Sequence, residues 1–434
     1  MKAFPRKIFF RRRVAFAACA LAAACGVPAV ESLAGPEAPE ASEDASREAA
    51  EFARAAEKFW GEPAEALFDV GGLWAGRRAQ KTETGDKVVE TLFSVYLRGE
   101  KILGLPAEEA KARARDGRLV EIEIMFFNKG DSAAREGFGS KSGKSSDEKE
   151  KFVRKSWKAS FEAVRERLAP LGEETRGRAG TSKLRRRVSV WKSGETAFVL
   201  EAEENEFVRV SVVPAAGLKE TLSGKADRAD ADVRKSVVRR PNGDVFIDGL
   251  PMIDQGGKGY CVPATVERVL RHYGVGDVDM HEIAELAGTG VGGGTSVREV
   301  VGGLAPVVKK SRLKFASVPM NFSKIKVCAD KGVPMMWCMF SAPEYLARLR
   351  ENTLAREDAA DFSAFARGLR RQAVPKISGE LRKYAHMCLI IGYNAKTKEI
   401  CVSDSWGDSA AERWIRFEDA LAFSQKEPLW ILER

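Results

Sequence analysis

Residues 251–274, Pro-Met-Ile-Asp-Gln-Gly-Gly-Lys-Gly-Tyr-Cys-Val-Pro-Ala-Thr-Val-Glu-Arg-Val-Leu-Arg-His-Tyr-Gly, constrain this chain more than any other stretch. A glycine-rich loop runs into an amphipathic helix, with Cys261 at the junction. Val262, Val266, Val269, Leu270 and Tyr273 recur at helical spacing on one face, Pro263 fits only in a first turn, and Gly274 supplies a stop. Cys261 is therefore expected at a helix N-terminus, where the partial positive charge and unpaired backbone N–H groups favour a thiolate and an oxyanion. Free cysteines are more often small buried hydrophobes, so the reading of Cys261 as a nucleophile needs partners elsewhere in the chain.

A length of 434 residues predicts two domains and a processed end. The formal charge of +9 is concentrated near the start, where a net +5 falls within the first 34 residues, so the remainder gives no argument for nucleic acid. Those residues read as a secretory signal: basic up to Arg13, apolar from Val14 to Ala24, then small residues ending in Ser32-Leu33-Ala34. The apolar run is too short for a membrane span. Cleavage after Ala29 and a lipid anchor at Cys25 are competing expectations, and Arg12-Arg13 hints at twin-arginine export. Each route places the mature protein outside the cytoplasm, in a periplasmic, extracellular or envelope-associated setting. The five later cysteines, Cys261, Cys328, Cys338, Cys388 and Cys401, are odd in number, so at least one stays free even under oxidising conditions. Cys338, Cys388 and Cys401 lie in apolar strand-like runs and are expected as buried thiols.

Residues 35–45 form a spacer, and 46–213 are expected to be an α+β domain. It has helices at Arg47–Trp60 and Phe152–Leu168, a polar loop at Ser140–Glu150, and strands at Val88–Leu97, Leu119–Phe127, Arg187–Trp191, Ala197–Ala202 and Phe207–Val213. Lacking histidine and cysteine, this unit offers no metal site or thiol chemistry, which leaves binding, regulation or the exclusion of water from a neighbour. Residues 214–240 read as a linker. In 241–434, helices come first and an antiparallel sheet follows: a capping box at Asp279–Glu282, a helix capped by Thr295 or Ser296, a central strand at Val333–Phe340, a helical insertion at Ala342–Tyr384, and strands at His386–Tyr393 and Ile400–Ser403.

A thiol nucleophile needs a base, and the base needs an orienting group. Of three histidines, His272 lies roughly 16 Å along the helix axis from Cys261, and His281 sits on the side of its helix away from Met280, Ile283 and Ala287, where solvent is expected. His386 remains. Asp404 ends the next strand of the same hairpin, where a carboxylate can hold an imidazole in one tautomer. Gln255, in the loop before Cys261, can offer a side-chain amide above the sulfur.

In the order Gln255, Cys261, His386, Asp404 the sequence resembles the papain-like cysteine peptidases, closest to exported relatives of the bacteriocin-processing, double-glycine peptidases. The resemblance rests on Asp254–Ala264, on His386–Tyr393, and on Ser403-Asp404-Ser405-Trp406-Gly407, where papain-type enzymes carry Asn before Ser-Trp-Gly and the double-glycine group carries Asp. It covers about residues 240–434. It implies Cys261 as nucleophile, His386 as general base and acid, Gln255 as oxyanion donor, Asp404 as the group that orients His386, and Trp406 as its shield from water. It implies a peptide or protein substrate and no cofactor. The sequence shows none of that group's transmembrane or ATP-binding parts, which leaves the substrate open. A peptide-binding module without turnover, and an acyl or amide transferase using the same thiol, are the alternatives.

Two further expectations follow. By analogy with related zymogens, residues 35–235 are expected to restrain the peptidase. In the hairpin, an even connection such as Ala395–Lys398 turns Asp404 away from His386, so an odd connection or a β-bulge is expected.

Overall fold

The computed structural model describes residues 43–434 apart from 59, 61–79, 84–88, 140–141, 181–184, 224–230, 277, 293, 376 and 378. The expected signal sequence, Cys25 and residues 35–42 of the spacer lie outside the described residues. Among the described residues no helix is long and apolar enough to cross a membrane.

Glu-Ala-Lys-Ala-Arg-Ala-Arg at 109–115 alternates charge with alanine, and a period of two is a strand's. It forms β5 (Glu109–Arg115), a strand that the sequence reading passed over because alanine and charge suit helices as well. Its neighbours are β1 (Gln80–Glu83), β2 (Val89–Tyr96), β6 (Arg118–Asn128), β7 (Thr175–Ala179), β8 (Arg186–Ser193), β9 (Thr196–Glu203) and β10 (Phe207–Pro214), in the antiparallel order β1-β2-β5-β6-β10-β9-β8-β7. A short ladder, β3 (Lys101–Ile102) with β4 (Leu105–Pro106), stands apart. One face of the large sheet is apolar. Ala110, Ala112, Ala114, Ile122, Ile124, Val208, Val210 and Val212 make a core with Phe52 and Ala56 of α1 (Glu43–Glu57) and with Val153, Val164 and Leu168 of α3 (Ser146–Leu168). Helix α3 begins inside the stretch expected as loop, because Ser145 and Glu148 cap each other's backbone. Helix α2 (Lys129–Arg135) follows β6 directly, capped by Asn128. Part of the expected linker is ordered as α4 (Leu218–Ser223), whose Leu218 packs with Val188, Val190 and Val199.

The second sheet runs β11 (Val237–Arg239), β12 (Asp244–Ile247), β15 (Ala385–Asn394), β14 (Met335–Phe340), β18 (Leu429–Glu433), β13 (Lys314–Val318), with β16 (Glu399–Ser403) on β15 and β17 (Arg413–Arg416) on β16. Helix α5 (Cys261–His272) lies on one side with α6 (Met280–Leu286) and α7 (Val297–Lys310). Val262, Val266, Val269, Leu270 and Tyr273, the face read from the sequence, are buried there against Met387, Leu389 and Ile391. The other side is covered by α8 (Phe322–Asp330), α9 (Pro343–Glu357) and α11 (Phe417–Ala422), with α10 (Phe362–Arg371) outside α9. The architecture is a mixture of helices and antiparallel sheet, α+β.

Much of the charged face of the first sheet is covered: Glu109, Lys111, Arg186 and Arg209 are buried. It meets α6. Arg209 reaches Asp279 and Glu282, both at 3.1 Å, Arg186 reaches Glu282 at 2.8 Å, and Lys111 reaches Asp279 at 3.2 Å. His281 Nε2 lies 2.9 Å from Glu109 and is 2% exposed, so the solvated position expected for His281 is wrong. Its helix face is polar because its partner is a polar sheet. Burying charges at this density requires such pairing.

Candidate active site

Helix α5 starts on Cys261 itself; Tyr260 occupies the cap position and supplies no side-chain hydrogen bond to the first turn. Across the cleft, β14 and β16 flank β15 and fix its pleat. The β15–β16 ladder pairs Asn394 with Glu399, Tyr393 with Ile400 and Gly392 with Cys401, then shifts by one residue so that Ile390 pairs Val402 and Leu389 pairs Ser403. The connection 395–398 is even, and a bulge at Ile391 corrects the register. Its effect is to bring Asp404 to the face of His386, whose Nε2 donates to Asp404 Oδ1 at 2.6 Å.

The other imidazole nitrogen is left for Cys261, and a side-chain hydrogen bond joins the two residues. Burial alone would push the Cys261 thiol up. The hydrogen bond and positive charge of His386, with the N–H groups of Met387 and Val262, reverse this and hold it below the ordinary thiol value. For His386 burial opposes the charged form, but Asp404 and Cys261 raise it to about 9. The chain's other described thiols behave oppositely. Cys328, Cys338, Cys388 and Cys401 are all free, and burial raises each, Cys338 to about 12. A thiolate paired with an imidazolium can attack an electrophilic carbonyl and then return a proton to the leaving group.

Trp406 stacks on His386, with ring centroids 4.6 Å apart and planes at 23°. Arg413 reaches over from β17, donating to the second oxygen of Asp404 and lying 5.5 Å from the Trp406 ring centre. Arg268, fully buried in α5, donates to Pro251 O at 2.8 Å, to Ser403 O and Ser403 Oγ, and to Ser405 Oγ. Burial lowers it to about 10 although Asp404 works the other way. One side chain thus ties the Cys261 helix to the Gln255 loop and to the Asp404 turn. Gln255 is buried; its backbone N–H donates to Ser405 O at 2.9 Å, and its side-chain oxygen has no partner among the described residues.

The structure therefore gathers Cys261, His386 and Asp404 in one hydrogen-bonded row and anchors the loop of Gln255 beside the Asp404 turn. His272 is elsewhere, bonded to Gly332 O at 2.8 Å and lowered by burial. Sequence reading missed Arg413 and Arg268. Arg268 carried a signal, seven residues or two turns from Cys261 on the same helical side; Arg413 carried none, since its pairing with Val402, two residues before Asp404, belongs to the fold. Among the described residues no group of His, Cys, Asp and Glu could hold a metal ion.

Residues 247–430 match the model of the Peptidase_C39 like family. No curated protein matches the chain. Over this C-terminal segment, which is less than half of the chain, the match supports a papain-like cysteine peptidase relative of the bacteriocin-processing family.

Proposed function

We propose that this chain is an exported cysteine peptidase that hydrolyses peptide bonds through an acyl-thioester intermediate. The observation that carries the reading is the row Cys261, His386, Asp404, in which one thiol is held below its ordinary pKa while the other four described thiols are raised. The Cys261 thiolate attacks the scissile carbonyl carbon, forming a C–S bond and an oxyanion. The Gln255 amide and the N–H of Cys261 donate to that oxygen. Collapse breaks the C–N bond, and the proton on the His386 nitrogen facing Cys261 passes to the leaving amine. Water then gives its proton to the neutral imidazole and attacks the thioester. The C–S bond breaks, and the acid leaves with the thiolate–imidazolium pair restored. Asp404 keeps the imidazole oriented throughout, while Trp406 covers the contact.

The same reading divides the chain into a signal at 1–34, a unit at 46–213, a connection at 214–240 and the peptidase at 241–434, with a peptide or protein as substrate. The test is turnover of a peptide library by the full mature chain, with and without an added amine acceptor. Hydrolysis that vanishes in Cys261→Ala supports the peptidase. Amide products formed only with the acceptor identify a transferase, and binding without turnover identifies a binding module.

A further inference from the structure

The loop between Gln255 and Cys261 contains Gly256, Gly257 and Gly259, and glycine-rich backbone does not hold a shape unaided. Its shape is set from outside by the N-terminal sheet and α2. The Lys258 side chain is wholly buried and its ammonium lies 2.7 Å from Asp131 Oδ2, 3.5 Å from Glu109 Oε2 and 4.9 Å from the centre of the Tyr96 ring. Both carboxylates are fixed beforehand: Asn128 donates to Asp131 at 2.8 Å, and Glu109 is held by His281 at 2.9 Å and Lys111 at 3.2 Å. Approach is close on either side of the lysine. Gly256 has φ +61°, and a Cβ there would fall 2.5 Å from Tyr96 Cζ; a Cβ on Gly130 would fall 2.5 Å from Lys258 Cβ and 3.1 Å from Tyr260 Cε1. Residues 256, 258 and 260 are thus all gripped by the first 135 residues, and 255 and 261 flank them.

An oxyanion donor contributes only when it is already in place as charge develops. A buried ion pair costs desolvation and returns registry, and registry is what this loop lacks. We propose that Lys258 is a positioning residue for the oxyanion donor and that the N-terminal unit, through Asp131 and Glu109, forms part of the catalytic machinery by clamping the loop. The inference rests on the reading above in which Gln255 supplies that donor.

The experiment compares Lys258→Met, Gln255→Ala and the double variant in the full chain. It measures kcat and KM on a peptide, the rate of Cys261 alkylation by iodoacetamide, and the thermal midpoint. Alkylation needs the thiolate but no oxyanion donor. Lys258→Met is expected to lower kcat by about tenfold to a hundredfold, with KM and the alkylation rate within about twofold of the parent. The double variant should be no slower than Gln255→Ala alone, since a mispositioned donor and an absent one are equivalent. If Lys258→Met does not fold, Asp131→Asn, which keeps an acceptor for Lys258, carries the same comparison with a smaller loss. A lowered midpoint with kcat unchanged, or losses that multiply in the double variant, would overturn the proposal. Gln255→Ala at full rate, with Cys261→Ala inactive, would remove the oxyanion assignment and the proposal together, a different pattern from Lys258 failing alone.

Discussion

Asp404 is held by two donors, His386 on one oxygen and Arg413 on the other, and this changes what its substitution should do. From sequence, if orientation dominates over charge, Asp404→Asn is expected to be milder than Asp404→Ala, because an amide oxygen can accept from the imidazole. With Arg413 present, an amide that turns its oxygen to His386 turns its NH2 against a guanidinium; flipped, it offers a donor to His386 and selects the wrong tautomer. We expect Asp404→Asn to lose about as much kcat as Asp404→Ala, and Asp404→Asn with Arg413→Met to regain part of it. A single Asn variant near the parental rate would show that Arg413 does not restrict the carboxylate. The protonation states predict the pH profile. Because the folded protein keeps His386 charged up to about 9, the proposed activity should fall on the alkaline side as that proton is lost there. Because Cys261 is depressed, alkylation of Cys261 should persist on the acid side of the range where ordinary thiols lose their thiolate, and at neutral pH it should far outpace that of Cys328, Cys338, Cys388 and Cys401. Equal labelling of the five would contradict the pairing. That Cys261, His386 and Asp404 belong together was legible because each must be a particular chemical type, while the role of the Gln255 side chain rests on the proposed function. Arg413 and Lys258 were not legible, and Arg268 only in its helical spacing from Cys261, because a buried arginine or lysine has the same letter as a solvated one.

At the scale of elements, the hairpin decides whether the residues meet. Its even connection alone would have turned Asp404 away, and the bulge at Ile391 restores the register. Just past the bulge, Gly392 lets β12 approach: a Cβ there would fall 2.4 Å from Phe246 Cβ and 2.5 Å from Val245 O. Gly392→Ala should therefore cost about 2 kcal/mol or more in stability, as overpacking against strand backbone, read as a lower midpoint in denaturant; an unchanged midpoint would mean that β12 can move freely. Periodicity located α5 and its buried face because the pattern spans three turns. It failed at β5, where alanine fills the apolar positions, and at the start of α3, where polar residues are both loop formers and good caps. Bulges carry no letter of their own, so the register could be posed from sequence only as alternatives.

For the whole molecule, tertiary contact makes the charges on β5, β6, β9 and β10 an interface with α6 and its cap residue Asp279. Two accounts of the N-terminal unit therefore predict opposite signs. Restraint, the expectation from sequence, predicts that a chain beginning at Asn242 is more active than the full mature chain. The clamp predicts that it is less active, since Lys258, Asp279, His281 and Glu282 lose their partners and the oxyanion loop loses its support. Comparing kcat per folded molecule separates them. The central claim, that Cys261 is a nucleophile activated by His386, is tested most directly by peptide-mapping mass spectrometry of the folded full chain after reaction with a thiol-reactive peptidyl electrophile. The account predicts one adduct, on Cys261, at a rate that collapses in His386→Ala. An adduct on another cysteine at comparable rate, or undiminished labelling of Cys261 without His386, would contradict it.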